Sequence, residues 1–100
     1  MGKERPERLG QKLAAIRKAL DLSQNEIVRR LGMSDRLTRE EISAYERGVR
    51  EPSLPTLLLY SRVAGVHLED IVDDELDLPD KLPGNVRYKG IKRKAGKKPR

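Results

Sequence analysis

LSQNEIVRRLGMSDRLTREEISAYERG, residues 22–48, is the stretch whose reading decides the fold. Ser23 is a good helix N-cap, and Glu26 stands three residues on as its capping-box partner. Ile27, Val28 and Leu31 recur at helical spacing and give a buried edge. Gly32 then ends the segment and opens a turn. A second helix start follows at Thr38, with Glu41 at the third helical position. Ile42 and Tyr45 point inward from it, and Gly48 stops it. This second segment, about 38–46, has very little apolar surface. A helix with so thin a buried edge must turn the rest of its surface toward something polar.

The flanks supply the core that the centre lacks. A helix over 6–20 is expected before it, with Pro6 in the first turn and Leu9, Leu13, Ile16 and Leu20 on one stripe. Asp21 would follow its end, in a place more often held by glycine. The segment that Gly32 ends reads as a helix over 22–32. After Gly48, Ser53 is the expected N-cap of a helix to Ala64, with Pro55 tolerated in the first turn. Its apolar residues Leu54, Leu57, Leu58, Leu59, Tyr60 and Val63 cover more than one face. That suits a central helix or a face that meets a second subunit. A fifth helix is expected over 67–75, fraying at Asp73, Asp74 and Glu75, which the helix dipole disfavours there. The expectation is an all-α, five-helix domain at 6–76, a linker at 77–85 and a basic, disordered tail at 86–100.

Composition narrows the class. The 100 residues contain no cysteine, so disulfides and thiolate metal sites are excluded and a reducing cytoplasm is the expected location. No apolar run reaches the roughly 18 residues of a membrane span, and the N-terminus lacks the apolar segment of a secretory signal. Residues 1–80 carry 13 Lys+Arg and 16 Asp+Glu, whereas residues 81–100 carry 9 Lys+Arg and no acid. A strongly basic tail on a near-neutral domain fits an anionic polymer as partner, though a solvated, idle tail fits as well. Tyr88 among Arg87, Lys89, Lys92 and Arg93 adds an aromatic that can stack on a base. The single histidine, His67, cannot assemble a metal site alone and reads as a surface residue at a helix start. The acids from Asp73 to Asp80 lack the spacing of a calcium loop. No nucleophilic triad and no glycine-rich phosphate loop occurs, so no enzyme, no cofactor and no metal is expected.

Two short helices joined by a glycine-opened turn inside a five-helix domain point to a helix-turn-helix that binds DNA. Residues 8–72 resemble the lambda-repressor-like (Cro/XRE) family of bacterial and phage regulators. The likeness lies in Arg17, then LSQ, LG, IS, ERG, PSLPTL and GVHLEDI, in that order at near-family spacing. The resemblance implies roles residue by residue. Gln24 matches a phosphate-binding glutamine at the start of the second helix. Arg39 matches the first, base-reading position of the recognition helix, with Glu40 and Ser43 exposed beside it. Arg47 and Arg50 match backbone-phosphate contacts. Arg17 and Glu46 match an internal ion pair of relatives.

Three features depart from the family pattern. About four extra residues lie between Gly32 and Ile42, either lengthening the turn or adding about one turn to the recognition helix. Thr38 is the preferred cap because it forms a box with Glu41. If Ser34 caps instead, Asp35, Arg36 and Arg39 lead into the groove. Glu40 and Glu41 would approach a polyanion. Glu41 has a capping role, whereas Glu40 could accept from a cytosine amine or stay an exposed charge without a base, the commoner arrangement. Val28 stands where a small alanine is usual. The function expected is a sequence-specific transcriptional regulator of double-stranded DNA, acting as a homodimer in the cytoplasm, nucleoid-associated. The rival readings are an antitoxin-type module with a protein partner and an RNA-associated factor that uses the tail.

Overall fold

A computed structural model of the chain describes residues 6–83; the basic tail, 86–100, lies outside them. Among the described residues five helices and no strand occur: α1 Leu9–Ala19, α2 Gln24–Arg30, α3 Arg39–Glu46, α4 Leu54–Ala64 and α5 Leu68–Val72. The all-α expectation holds. Leu13, Ile16, Ile27, Ile42, Tyr60 and Ile71 are the largest fully buried side chains, so every helix sends at least one residue to a common core. With so few aromatics, branched aliphatic side chains fill that space.

The first helix starts at Leu9 rather than residue 6, and its cap comes from the far end of the domain. Arg8 at the N-cap makes no side-chain cap bond. Instead the Asp74 carboxylate accepts from the N–H groups of Glu7 at 2.8 Å and Arg8 at 3.0 Å. At the other end, Leu22 N–H donates to Arg17 C=O at 3.1 Å, and Asp21 takes a left-handed φ of 61°. This is the closing pattern glycine usually supplies, reached with an aspartate that tolerates it.

The fifth helix ends at Val72, not residue 75, because Asp73 turns to extended backbone. Lys12 of α1 collects one carbonyl of the last turn of α5 and two from the chain just beyond it. The Lys12 ammonium donates to Asp70 C=O at 2.8 Å, Asp73 C=O at 2.7 Å and Leu76 C=O at 2.6 Å. An ammonium has three hydrogens, and all three are used. Lys12 is only 4% exposed, and burial is the main cause that lowers its pKa, followed by the charge of Arg8. The start of α1 and the end of α5 therefore cap each other, with Arg8 and Asp77 paired at 2.6 Å alongside. The acids expected to fray α5 fall beyond it, and Asp74 and Asp77 are used on α1.

The stretch expected to be a linker, 77–85, is packed over its described part. Leu82 is 4% exposed in the core and Leu78 lies against it. The two prolines shape a segment whose leucines still find apolar neighbours, so the packed domain continues beyond residue 76.

Gly10 fixes how α1 meets α3. A Cβ at this position would lie 2.8 Å from both the Tyr45 and Glu46 carbonyl oxygens. Only a residue without a side chain allows the helices to come this close.

Candidate nucleic-acid interface

Ser23 Oγ accepts from Glu26 N–H at 3.0 Å, and the Glu26 carboxylate accepts from Ser23 N–H at 2.7 Å. Those bonds start α2 and hold the Glu26 carboxyl below its ordinary pKa, the backbone N–H first and the hydroxyl second. Gly32, with a φ of 75°, closes α2 as Met33 N–H donates back to Val28 C=O at 3.1 Å. Between α2 and α3 the extra residues lengthen the turn. Met33 C=O accepts from Arg36 N–H at 2.9 Å and Leu37 N–H at 2.8 Å, and Leu37 is buried as the turn's apolar anchor. Thr38, not Ser34, caps α3: its hydroxyl accepts from Glu41 N–H at 3.3 Å, and Glu41 accepts from Thr38 N–H at 3.0 Å. Val28 fits the core beside this turn and is 6% exposed.

One cluster ties the three elements together. Arg17 on α1 forks onto Glu46, the last residue of α3, with Nε–Oε2 at 2.7 Å and Nη2–Oε1 at 3.0 Å. Its remaining Nη1 donates to Leu22 C=O at 3.0 Å. The Gln24 side-chain amide, at the first position of α2, donates to Glu46 Oε1 at 3.2 Å. The two charged side chains are 15% and 8% exposed. The hydrogen bonding of its guanidinium to the Glu46 carboxylate is the chief reason the Arg17 pKa is raised. One amide hydrogen of Gln24 is thus taken up by the protein itself, and the Glu46 carboxylate links the start of α2 to the end of α3.

The outer face of α3 has a different character. Ile42, Ala44 and Tyr45 are buried, whereas Arg39, Glu40 and Arg47 are exposed and Ser43 is half-buried. Residues 39, 43 and 47 follow one another at four-residue spacing and so form one stripe. Arg47 Nε donates to Ser43 Oγ at 3.2 Å, which aligns the lower end of that stripe. Arg36 is exposed in the turn just before it, and Arg50 is exposed in the loop after it. The arrangement brings Arg36 to the approach of α3, Arg39, Glu40 and Ser43 onto it and Arg47 to its C-cap, with Gln24 at the start of α2.

Asn25 and Arg29 on α2 line an open concavity together with Ser34, Thr38, Arg39 and Glu40. Sequence reasoning passed over both. Their signal was present: they are polar, one helical turn apart, and opposite Ile27 and Leu31.

A helix-turn-helix family model of the Cro/C1 (XRE) type matches residues 13–71, from the second turn of α1 into α5. The chain belongs to the Cro/C1-type (XRE) helix-turn-helix family. Members of this family are typically non-enzymatic DNA-binding regulators. No curated protein and no solved structure matches the chain. Among the described residues of this XRE-family protein, no helix is long and apolar enough to cross a membrane.

Proposed function

We propose that this protein is a sequence-specific transcriptional regulator that lays α3, residues 38–46 with its cap, in the major groove of its DNA site. The observation that carries the reading is the uncovered polar face of α3, where the Arg39 and Glu40 side chains are 53% and 77% exposed. A helix that ends in a structural ion pair, buries one edge and leaves such a face bare fits the recognition helix of this motif. Arg39, Glu40 and Ser43 read base edges, with Arg36 on the approach. Gln24, Arg47 and Arg50 hold phosphate and fix the register. α2 crosses the backbone, and Asn25 and Arg29 extend its phosphate-facing side.

A single small module offers limited affinity and discrimination, so the working form is a homodimer on a two-fold operator in the cytoplasm. Selection of bound fragments from random duplex DNA tests the reading, followed by binding of variants to the enriched site. Arg39→Ala should cost about 1–3 kcal/mol on that site and relax preference at one position, while Arg50→Ala should weaken all duplexes alike. If both variants bound every duplex as the parent does, α3 would not be the groove helix.

A further inference from the structure

We propose that Glu40 selects a cytosine next to the guanine read by Arg39, so that the half-site carries a G·C-specific element. This rests on the reading of α3 as the groove helix. The two neighbouring glutamates of α3 have separate employment. Glu41 is committed to the capping box, accepting from Thr38 N–H at 3.0 Å. Glu40 has no part in that cap, and its side chain is 77% exposed. Its contact with Arg39 is 3.7 Å, longer than a charge-assisted hydrogen bond, so a base can replace it. Arg29 and Arg39 line the same concavity as Glu40, which offsets the repulsion between its carboxylate and the phosphates.

A carboxylate only accepts hydrogen bonds. In the major groove the donors are the cytosine N4 and adenine N6 amines. Adenine places its N7 acceptor beside N6, which repels a second carboxylate oxygen and suits an amide instead. Cytosine offers its amine without that acceptor. Arg39, meanwhile, is a five-donor fork that fits guanine O6 and N7. Arg39 and Glu40 are therefore complementary in sign to the two edges that G·C pairs present.

Random-duplex selection with the parent, Glu40→Gln and Glu40→Ala tests this, with circular dichroism confirming that each exposed-site variant is folded. The parent should enrich cytosine at one position beside a guanine, preferring it roughly 5- to 150-fold over other bases. Glu40→Gln should move that preference to adenine. Glu40→Ala should erase it, keep the guanine, and bind random duplex more tightly, since a negative charge near phosphate is gone. Cytosine retained by Glu40→Ala overturns the proposal. So does a parent that selects the guanine and is indifferent at its neighbour. A parent that enriches no sequence at all overturns the groove reading itself, a result distinct from the other two.

Discussion

Removing Glu46 should unbalance the junction of α1, α2 and α3 more than any other single carboxylate would. In Glu46→Ala, Arg17 loses bonds of 2.7 and 3.0 Å and Gln24 loses one of 3.2 Å. The Arg17 guanidinium, 15% exposed, is left with the Leu22 carbonyl alone. Uncompensated charge in such a site costs about 3–5 kcal/mol. For a domain of this size each kcal/mol lowers Tm by about 4–8 °C, so a fall of about 12 °C or more is expected. Arg17→Met should cost a similar amount, because it strands a carboxylate that is 8% exposed. Simple addition would give about 6–10 kcal/mol for the pair, close to the whole stability of a small domain. The double variant Arg17→Met/Glu46→Leu strands no charge, and such replacements are often neutral or stabilising. It should therefore be more stable than either single variant. Urea unfolding of the parent, Arg17→Met, Glu46→Leu and the double variant closes the cycle and measures the coupling directly. Single costs below about 1 kcal/mol with an additive double would place the pair among ordinary surface ion pairs and refute the reasoning.

Gly10→Ala should destabilise by about 1–3 kcal/mol, because its methyl meets two backbone oxygens at 2.8 Å that cannot rotate away; thermal unfolding reads this, and an unchanged Tm would mean that α1 and α3 separate freely. Lys12→Met keeps the length of the side chain but takes away the donor of the Asp70 carbonyl and one of the two donors of the Asp73 and Leu76 carbonyls, which keep Leu76 N–H and Arg8; this should cost about 1–3 kcal/mol, and hydrogen exchange should rise first at the end of α5. Acid should unfold the domain in part through Asp74, whose carboxyl is held below its ordinary value of 3.8 chiefly by the Arg8 and Glu7 N–H groups. Because the folded pKa is the lower one, that stability is present above the unfolded value and disappears as pH falls through the folded value. Glu26 behaves alike from 4.5 downward. Asp74→Asn should flatten the decline of Tm below about pH 4, and an acid limb identical to the parent's would remove Asp74 from this role.

Local signals made the fold legible. Ser23 and Thr38 were readable as caps because the cap, its glutamate three residues on and the apolar spacing all lie within a few positions, and Ser53 because it stands just before a first turn that carries Pro55. The stripe on α1 and the thin edge of α3 were readable because helical periodicity is itself a burial pattern. What stayed hidden depends on residues distant in sequence. Nothing near Lys12 marks it as the donor for a helix end 58 residues and more away. Asp74 looked like an unfavourable charge at the end of α5 until its partners at the start of α1 were in place. Leu78 and Leu82 stand among Pro79, Asp80 and Pro83, so turn chemistry masked their burial. At the interface, charge and the resemblance drew attention to Arg39 and Arg47, while Arg29 emerged only when α2 and α3 were seen to share a concavity.

The reciprocal capping of α1 and α5 sets a boundary on the smallest useful fragment. A chain cut at residue 71, where the family match ends, would keep Gln24, all of α3 and Arg50. It would nonetheless lack Asp74, Asp77, the carbonyls of Asp73 and Leu76, and the Leu82 side chain. During synthesis on a ribosome, likewise, the first helix is not secured until residue 77 has emerged. Every group that α2, α3 and the loop to Arg50 present to the proposed target is thus made before the residues that secure the first helix.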